Sequence, residues 1–241
     1  MHISKPHWEG DLLVVNAVNP TAGLFSGDAI RCTVTVETGA GLLLTAPSAQ
    51  RAHRMPEGEA LLEQHFRVQD GGWLEVWPEL FIPQGGSRCR QRTRIEADAG
   101  GELLYFEMLA PGRVASGEVF LFESLDWEMD IFHGGERAAR EKFSLSPGDG
   151  SLHALRALYP AAYYGSCFAI GRAFFEDETL QETTAALNTP DATLGCSRLS
   201  RGGCVVKVLA RTGPDLRKAL RSARSLFHAA AGRREPAFRR V

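Results

Sequence analysis

Residues 66–77 read Phe-Arg-Val-Gln-Asp-Gly-Gly-Trp-Leu-Glu-Val-Trp, which is an alternating segment, a turn and an apolar segment. Apolar and polar side chains that alternate at every second residue predict a half-buried strand. An Asp-Gly-Gly sequence between two such segments is typical of a tight turn. This segment therefore predicts two strands joined by a short turn.

The same three-part pattern occurs on both sides of this segment. Residues 30–44 place Thr-Gly-Ala-Gly before Leu-Leu-Leu, and residues 92–106 place Ala-Asp-Ala-Gly-Gly before Glu-Leu-Leu-Tyr-Phe. The turns recur about every 30 residues, a period that is typical of stacked structural units. Because one unit is too small to bury its own apolar face, we expect the units to stack. The stack should place residues 42–44, Leu74 and Leu103 in adjacent layers.

The second part of the chain has a different pattern. Residues 151–162 and 178–188 predict short helices, and residues 191–209 predict two strands around an Arg-Gly-Gly turn. Residues 214–231 predict a longer helix, because Pro214 suits the first helical position. Its apolar residues recur at helical spacing: Leu216, Ala219, Leu220, Ala223, Phe227 and Ala230.

No low-complexity linker divides the chain, so we predict one domain over residues 1–241. The predicted fold is mainly β, with β-helix-like stacked strand layers over residues 1–150. Residues 151–241 should form a mixed α/β region, with a small C-terminal helical addition packed on the layers. The N-terminus lacks the apolar stretch of a signal peptide, and no apolar run approaches the length of a membrane span. We therefore expect a cytoplasmic protein without a membrane partner.

Charge is unevenly distributed along the chain. The net charge is −2, but residues 211–241 contain nine basic and two acidic residues. Such a basic end can bind an acidic partner or a nucleic acid. We favour a solvated helix face and expect no nucleic-acid partner.

Sequence motifs give little sign of an enzyme. The five cysteines are scattered without a Cys-x-x-Cys pair, which predicts reduced thiols and no zinc site. The chain contains no Gly-x-Ser-x-Gly elbow, no phosphate-binding glycine loop and no His-Glu-x-x-His pattern. We therefore predict a protein without catalytic residues.

Several charged residues stand in unusual places. Arg88, Arg90, Arg92 and Arg94 alternate along one strand, so their side chains leave one face of it. We favour a charge ladder with neighbouring strands, and the alternative is a docking face for an acidic partner or phosphate. Buried carboxylates are costly unless they are paired or bind a cation. Three acidic residues lie in glycine-rich or apolar surroundings: Asp28, Glu107 and Glu118.

Taken together, several segments resemble the urease accessory protein D family, which is called H in some organisms. The segments are residues 23–28 (Gly-Leu-Phe-Ser-Gly-Asp), 44–54, 74–79, 103–107 and 112–118. The closing residues 236–241 resemble the family's terminal Pro-x-x-Pro-Arg-Ile, with Arg239 in place of the second proline.

The resemblance implies a non-enzymatic protein with a β-helix-like fold. Such a protein would join the accessory proteins F and G in a complex that docks on apo-urease and helps to deliver nickel. The family is expected to offer an internal path for the metal, with no tightly bound cofactor. Asp28 and Glu107 match acidic positions of the family pattern and are our candidates for a transient nickel path. Glu118 also matches one, but an ion pair with Arg113 makes a structural role the better interpretation.

Two other functions are compatible with a layered β protein. A scaffold for iron–sulfur assembly would need converging cysteine and histidine ligands. A carbohydrate-active enzyme on a β-helix would need a cluster of carboxylates in a groove. Asp126, Glu128 and Asp130 alternate on one predicted strand face and are the candidates for that cluster.

Overall fold

A computed structural model describes residues 2–158, 160 and 162–237. The molecule consists mainly of strands, which confirms the predicted fold class. The strands are β1 (His2–Ile3), β2 (His7–Glu9), β3 (Leu12–Val18), β4 (Ala29–Val36), β5 (Gly41–Thr45), β6 (Gln50–Ala52), β7 (Ala60–Val68), β8 (Trp73–Trp77), β9 (Phe81–Pro83), β10 (Arg88–Ala97), β11 (Glu102–Leu109), β12 (Ser124–His133), β13 (Glu136–Leu145), β14 (Tyr163–Ile170), β15 (Ala192–Arg198) and β16 (Gly203–Ala210).

The α-helices lie in the second part of the described chain, and short 3-10 helices span Val114–Ser116 and Pro147–Asp149. The α-helices are α1 (Ser151–Leu158), α2 (Arg172–Glu176), α3 (Leu180–Ala185) and α4 (Gly213–Ala230). The two predicted short helices are confirmed as α1 and α3, although both are shorter than expected, and positions 159 and 161 lie outside the described residues. The predicted strand pair is confirmed as β15 and β16. Within the described residues, no helix has the length and apolar character needed to cross a membrane.

The three sequence repeats form parallel layers. β5, β8 and β11 pair in parallel, and their register aligns Leu42 with Leu74 and Leu74 with Leu103. The preceding strands β4, β7 and β10 pair in parallel in the same order. These pairings confirm the predicted stack.

The glycine turns also lie on one another. Gly39 and Gly71 have φ angles of 70° and 69°, a conformation that favours glycine. The Gly39 amide donates to the carbonyl oxygen of Asp70 at 3.2 Å, and the Gly71 amide donates to that of Gly100 at 2.9 Å. The Asp70 carboxylate accepts from the Gly100 amide at 2.7 Å. Each turn thus positions the turn of the next layer.

The layers belong to two sheets. One has the order β1-β3-β5-β8-β11-β14-β16-β15, with β2, β6 and β9 paired beside this path, and the other has the order β13-β12-β10-β7-β4. Each repeat contributes one strand to each sheet, so the chain winds between the sheets as in a β-helix. The winding continues to β12, which pairs in parallel with β10, and ends there. Every later pairing is antiparallel: β13 with β12 in the smaller sheet, and β14, β16 and β15 in the larger one. The apolar core between the sheets includes the fully buried Phe66, Ile95 and Leu103.

Helix α4 packs its apolar stripe against the larger sheet. Its first turn is capped by the Thr212 hydroxyl, which accepts from the Asp215 amide at 3.2 Å. Leu216, Leu220 and Phe227 are completely buried, which confirms the predicted packing. The helix begins at Gly213, one residue before the predicted start.

A charged cluster is buried under α4. Arg224 and His228 project from the helix onto the Glu75 carboxylate of β8, and all three side chains are at most 1% exposed. Arg224 also donates to the carbonyl oxygen of Pro236 at 3.1 Å. Burial raises the pKa of Glu75, but the hydrogen bonds from His228 and Arg224 outweigh it and leave this pKa below its ordinary value. The cluster ties the helix and the following segment to the central strand β8.

Candidate functional site

A cavity of about 180 Å³ is lined by residues of both sheets. Its wall combines aromatic side chains with a few polar ones, an arrangement that is common in binding sites. The polar residues on the sheet strands include Gln64 of β7, Gln91 of β10 and Glu107 of β11. The cavity wall also includes Ala22 and Gly23 of the loop before β4.

Glu107 is the buried carboxyl group of this cavity, with 8% of the residue exposed. Its Oε1 accepts from Gln91 Nε2 at 2.9 Å and from Trp127 Nε1 at 3.1 Å. Its Oε2 accepts from Ser166 Oγ at 3.4 Å. These donors are neutral and come from β10, β12 and β14, so strands of both sheets orient one carboxyl group.

The surroundings of Glu107 raise its pKa to about 7. Burial is the main cause, and the negative charge of Glu141 adds to it. Hydrogen bonds from Trp127, Ser166 and Tyr105 act in the opposite direction. Near neutral pH the group therefore lies close to its titration midpoint, and a bound cation would favour its ionised form.

Further polar groups form a hydrogen-bond network next to Glu107. The Tyr105 hydroxyl donates to Gln64 Oε1 at 2.8 Å, and the Thr93 hydroxyl donates to the same oxygen at 3.1 Å. Gln64 and Thr93 are register partners on β7 and β10. These residues were not among the candidates from the sequence. A polar residue at an inward-facing position of an alternating strand is the signal that could have found them.

Tyr164 connects the cavity wall with a surface carboxylate. It lines the cavity, and its hydroxyl donates to Glu141 Oε1 at 2.9 Å. Lys207 Nζ donates to the same oxygen at 2.6 Å, and half of the lysine side chain is exposed. The sequence analysis also missed Glu141, because β13 and β14 meet only in the folded protein.

The structure places Asp28 apart from this lining. Its carboxylate accepts from the Phe25 amide at 2.8 Å, and its carbonyl oxygen accepts from the Leu61 amide at 2.9 Å. Asp28 thus closes the turn before β4. It is not among the described residues that line the cavity, although Gly23 of the same loop is. The structure therefore does not bring Asp28 and Glu107 together in one lining.

Glu118, the third acidic residue noted in the sequence, forms an ion pair with Arg113. Arg113 Nε donates to Glu118 Oε2 at 2.8 Å, as the sequence analysis expected. The Gly85 amide donates to the same oxygen at 3.0 Å. Because Arg113 stabilises the charged form, the pKa of Glu118 is lowered.

The four alternating arginines lie on the outer face of the smaller sheet, among carboxylates. Arg90 pairs with Glu59 at 3.3 Å, and Arg94 pairs with Glu96 at 2.6 Å. In the strand register, Arg92 stands between Glu63 and Glu128. This arrangement is the favoured charge ladder.

The carboxylates proposed for a carbohydrate-active enzyme belong to the same ladder. Glu128 and Asp130 pair with Arg140 of the neighbouring strand β13. Asp126 accepts a hydrogen bond from Ser144, also on β13. These contacts support a structural role for all three carboxylates.

No convergent metal cluster supports the iron–sulfur alternative. Within the part of the chain that the structure describes, no group of three or more His, Cys, Asp or Glu residues could hold a metal ion. All five cysteines are free thiols. A cation at Glu107 would therefore meet one carboxylate together with neutral oxygens.

The basic end of the chain is largely paired within the molecule. Arg217 binds Glu79, Arg224 binds Glu75, and Arg233 lies 3.6 Å from Glu102. Arg239 and Arg240 lie outside the described residues, as does most of the closing motif at 236–241. Lys218 and Arg221 are exposed, as a solvated helix face predicts, but Arg224 is buried on Glu75, so the prediction is wrong for that residue.

Comparison with known proteins adds to this geometry. The family model for the UreD urease accessory protein matches residues 1–241. The chain is 38% identical over 233 residues to the urease accessory protein UreD of Opitutus terrae, covering 94% of this chain and 84% of that protein. It is 30% identical to the protein of the same name from Acetivibrio thermocellus, covering 94% and 87%, and 35% identical to that of Deinococcus radiodurans, covering 88% and 75%. The chain belongs to the UreD family of urease accessory proteins.

Proposed function

We propose that this protein is a non-enzymatic maturation factor for urease. It binds apo-urease together with the F-type and G-type accessory proteins, in the cytoplasm, and helps to deliver nickel to the urease active site. Membership of the UreD family supports the maturation role, and relatives of up to 38% identity carry the name urease accessory protein. Nickel is cargo in this proposal, and the protein holds no resident cofactor.

The observation that carries the nickel path is the buried carboxyl group of Glu107 on the wall of the cavity between the sheets. A divalent cation in a low-dielectric interior needs a negative charge or oxygen ligands to offset its lost hydration. Glu107 supplies the charge, and Gln64 and Tyr105 add neutral oxygens beside it. The cavity therefore offers a cation a polar position inside an apolar core.

The same geometry favours passage over storage. A resident Ni²⁺ site would gather several strong donors, such as imidazole and thiolate. Glu107 instead has neutral hydrogen-bond donors around it: Gln91, Trp127 and Ser166. One carboxylate with weak oxygen ligands binds loosely enough to release the ion again.

We place one end of the path at Tyr164 and Glu141. Tyr164 separates the cavity from Glu141, whose side chain is 15% exposed and paired with Lys207. Lys207 is paired with Glu141, the carboxylate that a departing cation would meet next. Rotation of Tyr164 and release of Lys207 would connect Glu107 with the surface.

The test compares Glu107→Gln with Asp28→Asn in reconstituted urease activation at limiting nickel. Glutamine keeps the size and the hydrogen-bond acceptor of Glu107 but removes its charge, so we expect activation to fall several-fold. Asp28→Asn tests the second position of the path that the sequence analysis predicted. Asp28 also serves the turn, so its variant must first be shown to fold like the wild type.

Pull-down with urease and the F-type and G-type proteins separates assembly from delivery. The proposal expects Glu107→Gln to assemble fully but to activate slowly, with recovery at high nickel. If the double variant Glu107→Gln, Asp28→Asn assembles with its partners and activates urease at the wild-type rate, the path runs elsewhere. A wild-type protein with no effect on urease would contradict the maturation role.

A further inference from the structure

The strand register brings two cysteines together that are eight positions apart in the sequence. On the antiparallel strands β15 and β16, Cys196 pairs with Val206, and Arg198 pairs with Cys204. The two cysteines are therefore diagonal neighbours. Alternate residues of a strand share a face, so both thiols point toward the core below the larger sheet.

Their surroundings divide the pair into a half-buried cysteine at the sheet edge and a fully buried one. Cys196 is half-buried on β15, the last strand of its sheet, whereas Cys204 is 2% exposed. The hydroxyl of Thr184 is buried beside Cys196 and has no other partner among the described residues. A half-buried thiol on an edge strand with a second thiol beside it is an arrangement found in redox-sensitive sites.

The electrostatics agree with this geometry. The neighbouring Cys204 thiol lowers the pKa of Cys196 to about 7, against the effect of burial, and Thr184 contributes in the same direction. Burial raises the pKa of Cys32 and raises that of Cys89 to about 12. The pKa values of Cys167 and Cys204 are raised as well, so Cys196 is the cysteine with the largest thiolate fraction near neutral pH, and the thiolate is the reactive form.

We propose that Cys196 and Cys204 form a dithiol that hydrogen peroxide oxidises to a disulfide. The Cys196 thiolate attacks one peroxide oxygen, the O–O bond breaks, and the leaving hydroxide takes up a proton to become water. Cys196 is then a sulfenic acid. The Cys204 sulfur attacks the Cys196 sulfur, the S–O bond breaks, and the thiol proton leaves with the hydroxyl group as a second water. Two thiols lose two electrons, and one peroxide becomes two waters.

Diagonal neighbours lie about 7–8 Å apart, beyond the usual Cα spacing of a disulfide, so the bond would draw the edge strand β15 toward β16 and tie the two covalently. Without it, β15 is held by its hydrogen bonds to β16 and by the short-range bonds that Asn188 and Thr189 make to Leu194 and Ala192. This site is separate from the cavity at Glu107, and its chemistry is independent of nickel delivery. It adds a peroxide-responsive element to the region of the fold that carries α3 and α4.

Peptide mapping tests the proposal directly. Tryptic cleavage places Cys196 in residues 173–198 and Cys204 in residues 202–207. After brief treatment with hydrogen peroxide, the wild-type protein should lose about 2 Da and yield these two peptides as one linked species that a reductant separates. Cys204→Ser should block the link and leave a Cys196 sulfenic acid that dimedone captures. Cys32→Ser is the matched control and should not affect the link.

A second measurement needs no variant. In the wild-type protein at neutral pH, iodoacetamide should label Cys196 at least about tenfold faster than Cys32, which is also half-buried. Equal labelling rates would overturn the proposed reactivity. Oxidation of Cys196 to a sulfinic acid without any linked peptide would overturn the pairing with Cys204.

Discussion

At the scale of single residues, Glu107 has the least usual environment for its charge. Its carboxyl group is buried among neutral donors, and ionisation there costs free energy. A cation beside the carboxylate would remove this cost. The property that reduces the stability of the protein by itself would therefore favour a cation that came beside this carboxylate.

Glu107→Gln should stabilise the protein near pH 8 by up to about 3 kcal/mol, because the ionisation cost disappears. The pKa of Glu107 is about 7 in the folded protein, against an ordinary value of 4.5. Below pH 4.5 the group is protonated in both states, so its burial costs the wild type no free energy of unfolding. As the pH rises through about 7, the unfolded state is favoured and this free energy falls. Urea unfolding at several pH values measures the difference, which should vanish toward pH 4.5.

Glu118→Gln is the matched control with the opposite sign. Arg113 lowers the pKa of Glu118, so removal of its charge should weaken the protein above the ordinary pKa and have no effect in acid. If both variants changed the free energy of unfolding in the same way at every pH, the environment of Glu107 would not raise its pKa.

At the scale of elements, α4 is held against the larger sheet by a buried ion pair as well as by apolar contacts. Its buried Arg224 and His228 contact Glu75 of β8, which lies in the centre of the larger sheet. A buried charge without its partner is far more costly than a buried apolar pair. The orientation of the helix therefore depends on this cluster.

Arg224→Met should destabilise the protein by about 3–5 kcal/mol, because Glu75 then stays buried without its main counter-charge. The double variant Arg224→Met, Glu75→Leu should recover a large part of this loss. Lys218→Met on the exposed face of α4 is the control and should change stability by less than about 0.5 kcal/mol. Chemical unfolding of the wild type, Arg224→Met, Glu75→Leu and the double variant gives the coupling free energy, and additive single-variant effects would contradict it.

At the scale of the whole molecule, two surfaces of the smaller sheet have different chemistry. The inner face combines the apolar core with the polar cavity, and the outer face carries rows of alternating charge. One row follows the register through Arg31, Glu63, Arg92 and Glu128. Exposed ion pairs contribute little stability each, so this face supplies solubility more than folding energy.

Arg92→Ala should therefore change the free energy of unfolding by less than about 1 kcal/mol. If the outer face is only a charge ladder, the variant should also assemble with urease and the accessory proteins like the wild type. Pull-down at two salt concentrations checks this. A folded variant that loses a partner would instead identify the face as a docking surface.

Local sequence predicted the layered body well, because its signals are local. The alternation in residues 66–68, the glycine turn at 71–72 and the apolar segment that follows all act within one repeat, and their recurrence implies stacking. Helix α4 was predicted for the same reason, since Pro214 and the apolar stripe lie within the helix itself. The five-residue helix α2 was missed because it is too short for a periodic signal.

The candidate site depends instead on contacts between residues that are distant in the sequence. The sequence identified Glu107 as a carboxylate in an apolar strand, but its partners come from β10, β12 and β14, and their convergence depends on strand register and sheet order. The turn before β4 holds Asp28 away from the cavity, and the register of β15 and β16 places Cys196 diagonally to Cys204. Periodicity specifies which side chains of one strand share a face. Only long-range pairing, which buries those faces against one another, specifies which side chains of different strands meet.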